Sequence, residues 1–268
     1  MSYQDDLRRQ IETMSGGEMT VRFTANGQPS YFWRLKKFAV ETLDPALGTG
    51  THPAFIVDGV EKDEILIGVH QAAEVDGEMV SQAGRMPRVN IDHDEAVALA
   101  RGTGAGFCVA TNAMYAAMAL KARADFQFPR GNNNDGRAYN APDEYGVDVN
   151  GDSTEGGGAD AVRTGSGPVT WNYPRSPWGV QMLNGNVWEW SPGMRIVDAE
   201  IQVIPDNDAV LAGTDLSTNG PWQAIDAATG NLVAPGTAGT VKYATSGTTD
   251  GTIVGTHSGP FSGLTPYG

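Results

Sequence analysis

Leu183-Asn184-Gly185-Asn186-Val187-Trp188-Glu189-Trp190 is the stretch on which the reading of this chain turns. Two tryptophans flank one carboxylate, directly after a Gly-Asn turn. Alternating large side chains predict a strand with one face buried and both indoles in a core. The Asn-Gly chemistry allows a left-handed backbone just ahead of it. A glutamate held between two indoles must be hydrogen-bonded, paired or bound to a metal, because a bare buried charge is very costly.

Upstream, from Phe128 to Trp178, periodicity nearly vanishes, and Gly, Asn, Asp, Pro and Ser dominate. A structureless run of this length in a compact domain is usually functional or held by bound ions. Arg130-Gly131-Asn132-Asn133-Asn134-Asp135-Gly136-Arg137 is an adaptable hydrogen-bonding loop, with Tyr139 just beyond it. Trp171, Tyr173 and Trp178 follow among prolines. Amides beside exposed aromatics suit polar ligands or protein epitopes. Arg130, Asn132, Asn133, Asn134, Asp135, Arg137 and Tyr139 are therefore candidate ligand contacts, together with the three later aromatics. An ordinary turn cluster would have the same composition. Asp148, Asn150 and Asp152 place oxygens at alternate positions, a spacing that can wrap calcium. The glycine and terminal acid of an EF-hand loop are missing there, and a solvated acidic loop explains the segment as well.

The remaining periodicity predicts short elements. Leu7, Ile11 and Met14 mark an amphipathic helix over 3–14, stopped by Gly16-Gly17. Its stripe is too small for a core, so it docks on the body or on a neighbouring subunit. A hairpin is expected around Asn26-Gly27. Phe55-Ile56-Val57 and Ile65–Val69 read as a hairpin or as two neighbouring strands, with Asp58-Gly59 between them. Helices are expected over 94–101, capped by Asp92 or Asp94, and over 111–123, capped by Thr111. Ile201–Ile204 is a strand. The segment expectations are an N-terminal helix and hairpin over 1–45, a main domain over 46–228 and a Gly/Thr-rich arm over 229–268 that reads as short strands and turns or as an extended segment.

The chain has 268 residues and a net charge of −14. That charge argues against nucleic acid and anionic membrane surfaces, both of which need Lys and Arg. One cysteine, Cys108, allows no internal disulfide. No signal peptide and no membrane-spanning stretch is read from the sequence. His52, His70, His93 and His257 show no metal-site spacing. Cys108 lies on an apolar run and reads as a small core residue, although the helix that starts after it leaves a reactive thiol conceivable. Gly102–Gly106 follows a helix and reads as a turn instead of a dinucleotide loop.

The string Gly185-Asn186-Val187-Trp188-Glu189-Trp190 closely resembles the signature of the formylglycine-generating enzyme (sulfatase-modifying factor) family. Val89-Asn90-Ile91-Asp92, Gly106–Ala117 and the Arg130-Gly131 step are similar to other family motifs, so the resemblance covers about residues 50–210. It implies an α+β, C-type-lectin-like fold: loop-rich, with short helices and a small twisted antiparallel sheet. It also implies a structural calcium on Glu189 and the carbonyls of Gly185 and Val187. The family's further Asp or Asn ligand falls on Met182, and its Glu-Trp helix pair is replaced by Met114-Tyr115. Catalysis in this family uses a late cysteine pair binding copper, or, in related sulfoxide synthases, a histidine triad binding iron. No cysteine follows Cys108 and no HxxxH spacing occurs.

The whole chain, including His52–Val57 and Ile201–Asp208, is similar to a branch of this family common among phage and prophage proteins. The expectation is a non-enzymatic virion structural protein, either a capsid decoration or a tail-associated adhesin, assembled in the host cytoplasm. Its partners would be other virion proteins, a host surface receptor or glycan, and further copies of itself. The alternatives are a metal-dependent oxidoreductase of the family's type and a cellular lectin-like binding module.

Overall fold

A computed structural model describes residues 2–150, 161–243 and 253–254. Asp152, the rest of the acidic segment through Glu155, His257 and most of the final tail lie outside the described residues. The chain divides into two compact units: residues 1–35, 65–109 and 125–190 in the first, and residues 36–64, 110–124 and 191–268 in the second.

In the first unit, helix α1 (Tyr3–Met14) starts at Ser2. The Ser2 hydroxyl accepts from the Asp5 N–H at 3.2 Å, and the Asp5 carboxylate accepts from the Ser2 N–H at 3.3 Å. This reciprocal cap satisfies two helix-end donors. The helix packs on strand β1 (Met19–Phe23). Leu7 and Ile11 are half-buried in that contact, but Met14 is 65% exposed and leaves the expected stripe. Strand β1 forms the expected hairpin with β2 (Pro29–Lys36) across Asn26-Gly27. The two apolar runs near residue 60 do not pair with each other. Glu64–Gly68 adds to β2, giving a three-stranded sheet that buries Val21, Trp33, Leu35, Ile65 and Ile67. Helix α2 (His93–Gly102) is capped by Asp92, whose Oδ1 accepts from the Glu95 N–H at 2.8 Å.

The stretch without periodicity contains small antiparallel ladders, Arg137–Ala138 with Ala141–Tyr145 and Asn172–Tyr173 with Val180–Gln181. These surround a core of Ala138, Val162, Trp171 and Met182.

In the second unit, Ile56–Val57 pairs with Val60–Glu61 through Asp58-Gly59. Helix α3 (Asn112–Ala124) buries Met114, Ala117, Met118, Leu120 and Ala122. Thr111 caps it, its Oγ1 accepting from the Met114 N–H at 3.3 Å and donating to Asn207 Oδ1 at 2.6 Å. Glu200–Val203, the expected strand shifted by one residue, pairs with Met194–Val197, Gln223–Ile225 and Lys242–Tyr243. Leu232–Val233 and Ile253–Val254 extend this sheet, so the described part of the arm contains short strands, one of the two readings of that tail. Buried Glu200 accepts from Thr240 Oγ1, Gln202 Nε2 and the Gly236 N–H. Burial alone would raise its pKa, but these hydrogen bonds hold it below the ordinary carboxylate value.

Candidate functional site

The signature loop is not a strand. Gly185 and Asn186 adopt φ of +84° and +71°, which curls the backbone out of any extended path. Trp188 is consequently 102% exposed and Trp190 48% exposed. The expectation that both indoles fill a core is corrected. Trp190 is tethered at the surface, its Nε1 donating to the Ile91 carbonyl at 2.9 Å and its ring meeting His93 edge-on. Glu189, also exposed, accepts from Gln71 Nε2 at 3.2 Å. The same nitrogen lies 3.3 Å from the Gly185 carbonyl and 3.4 Å from the Val187 carbonyl.

A second loop, residues 129–139, is sewn to the first. The Asn186 N–H donates to the Asn132 carbonyl at 2.6 Å, and Asn132 Nδ2 donates to Asn186 Oδ1 at 3.1 Å. Asn132 Oδ1 accepts from the Gly136 N–H at 2.7 Å, and Asn133 Oδ1 accepts from the Tyr139 N–H at 2.7 Å. The backbones approach so closely that a Cβ on Gly131 would sit 1.7 Å from the Asn184 carbonyl oxygen. One on Gly185 would sit 2.1 Å from that of Asn132. Only glycine fits at such distances.

These contacts divide the expected ligand residues. Asn133, Asn134, Asp135 and Tyr139 are exposed. Asn132 is buried and structural. Arg130 pairs with Glu144, whose other oxygen accepts from Trp171 Nε1 at 3.1 Å. Arg137 is half-buried and reaches the Pro142 carbonyl. Trp178 is half-buried as well.

Trp171 and Tyr173 are 0% and 1% exposed, so their expected place on a recognition surface is corrected. The Tyr173 ring packs edge-on against Trp33, and its hydroxyl donates to Asp125 at 2.8 Å. Asp148 is buried and turns back on its own loop to accept from the Asn150 N–H. Gln71, which holds the signature loop, and Glu144, which holds Arg130 and Trp171, carry no motif. The only sequence signal for Gln71 is its place two residues after the apolar run Ile65–Val69.

The titratable groups are muted. Burial pushes the Cys108 thiol up to about 11, with Arg101 offsetting part of the effect, so thiolate is scarce at neutral pH. Burial lowers His52 and His70 to about 4. Among the described residues no three His, Cys, Asp or Glu side chains are grouped to hold a metal. The calcium donor set implied by the resemblance does not fit. Met182, at the position of the missing oxygen ligand, is buried in the apolar core, and an amide nitrogen occupies the point where the other three oxygens converge.

Short helices, small antiparallel ladders and long loops tied together by side-chain amides define an α+β protein of the C-type-lectin-like class. The sulfatase-modifying factor enzyme 1-like domain matches this chain over residues 6–197, and the chain belongs to that family. A comparison with curated proteins gives no match. No helix among the described residues is long and apolar enough to cross a membrane.

Proposed function

We propose that this chain is a noncovalent binding protein that uses an enzyme family's scaffold to hold a recognition surface. It serves as a structural component of a phage or prophage particle, as a capsid decoration or a tail-associated adhesin. One observation carries the binding reading: Trp188 stands fully exposed on a backbone clamped at Gly185 and Asn186. An exposed indole on a fixed loop is an anchor with little ordering entropy left to lose on binding. Asn133, Asn134, Asp135 and Tyr139 supply adaptable polar contacts on the adjoining loop. Placement on a particle is supported by the similarity of His52–Val57 and Ile201–Asp208 to the phage-associated branch. The partners are then other virion proteins, further copies of this chain, and a host receptor or glycan. The charge of −14 disfavours nucleic acid.

Family membership favours one second reading, a metal-dependent oxidoreductase. The copper chemistry of the family needs a cysteine pair, and this chain has one cysteine. Quantitative mass spectrometry of purified particles separates the two readings. A fixed copy number matching the particle's symmetry is expected. Absence from particles, with stoichiometric copper or iron in the purified protein, would replace binding with catalysis.

A further inference from the structure

Three oxygens of the signature loop, from Gly185, Val187 and Glu189, meet at one point, and that point is the Gln71 side-chain amide, 5% exposed. Which end of that amide faces them is decided by backbone. The Val162 N–H donates to Asn186 Oδ1 at 2.8 Å, and the Val162 carbonyl accepts from Asn186 Nδ2 at 3.2 Å. A backbone N–H can only donate and a backbone carbonyl can only accept, so this pair fixes Asn186 in one orientation. Asn186 Nδ2 then donates to Gln71 Oε1 at 2.7 Å. The Gln71 oxygen is thereby engaged, and its NH2 is left to face the three loop oxygens. Two N–H donors serve three acceptors, one of them the Glu189 carboxylate, which makes that contact charge-assisted.

The spacing agrees with this. The oxygens lie 3.2–3.4 Å from the nitrogen, whereas calcium draws its ligands to about 2.3–2.6 Å. We propose that the Gln71 amide is a built-in replacement for a metal ion at the centre of this loop. The chain holds the family's signature turn with its own hydrogen-bond donors, and its recognition surface is ordered independently of calcium. Because Asn186 also bonds Asn132, the amide organises both loops through one continuous network.

The test is thermal unfolding of the full chain in EDTA and in calcium at about 1 mM, the weak end of protein calcium affinities. Superimposable melts are expected. A saturable rise in midpoint with calcium, abolished by Glu189→Gln, would overturn the proposal. The variant Gln71→Glu exchanges the donor for another oxygen, and its midpoint is expected to rise by several degrees with calcium. A folded Gln71→Glu chain indifferent to calcium would show that the amide does not fill a cation's place. Should that variant fail to fold, the side-chain NH2 signals of Gln71 in the unaltered chain decide. They are expected to exchange slowly with solvent and to stay unmoved through a calcium titration; fast exchange or a calcium-dependent shift would refute the assignment.

Discussion

Trp171-Asn172-Tyr173 and Trp188-Glu189-Trp190 share one pattern, aromatic–polar–aromatic, and meet opposite fates. The first is the most deeply buried aromatic pair of its unit, and the second carries the chain's most exposed indole. The cause lies in the neighbouring backbone. Ahead of the first pair, Gly167 has no Cβ, and one there would fall 2.1 Å from the Trp171 ring. Asn172–Tyr173 then finds a strand partner in Val180–Gln181, so its peptide groups are paired and its rings can be enclosed. Ahead of the second pair, two left-handed residues curl the chain so that its carbonyls turn onto Gln71. That leaves Trp188 outside. An indole's burial therefore follows from where the adjacent peptide groups find partners, more than from its own hydrophobicity.

Breaking this contrast should produce its largest effect at the buried pair. Trp171→Ala is expected to destabilise by about 3–5 kcal/mol, through a cavity and a lost hydrogen bond to Glu144. Urea unfolding would measure it, and a loss under 1 kcal/mol, about the level of a surface change, would contradict the enclosed placement. Next come the glycines that let the loops touch. Gly131→Ala and Gly185→Ala should each cost about 1–3 kcal/mol by forcing the two backbones apart. The second carries an added penalty for its positive φ. Wild-type melting of either variant would mean that the loops are not in contact.

Acid should come third. His52 Nδ1 accepts the Ala54 N–H at 3.1 Å, which requires that nitrogen to be unprotonated. Burial lowers His52 and His70 from 6.5 to about 4. Between those values the unfolded chain binds protons that the folded chain refuses. Their contribution is therefore complete above about pH 6.5 and declines as pH falls toward 4. A loss on the order of 1–2 kcal/mol per histidine is expected by pH 5, and His52→Gln should flatten the profile. A pH-independent midpoint across that window would show that both imidazoles titrate normally. The smallest stability effect belongs to Trp188→Ala, within about 0.5 kcal/mol, while particle or receptor binding drops. Binding that survives the change would move the recognition surface elsewhere.

Local signals located the three α-helices and the first hairpin. Asp92 and Thr111 mark helix starts by chemistry that acts within three residues, and both caps form. Asn26-Gly27 likewise turns the expected hairpin. The site was less legible. Its organisers contact residues far away in sequence, Gln71 with 185–189 and Glu144 with Arg130 and Trp171. Neither belongs to a motif, and nothing in their local sequence announces the partner. The irregular stretch 128–178 hid its small ladders for a related reason. Strands of two residues, such as Arg137–Ala138, are too short to show alternation.

The sequence by itself determined the family, the α+β class, the helix caps, the acidic charge and the lack of a second cysteine. Each of these depends on residues close together or on simple counts. The tertiary structure alone decided which tryptophans face water and what fills the centre of the signature loop. Both outcomes depend on donors and acceptors brought together from distant parts of the chain, where the amide of Gln71 meets the oxygens of Gly185, Val187 and Glu189.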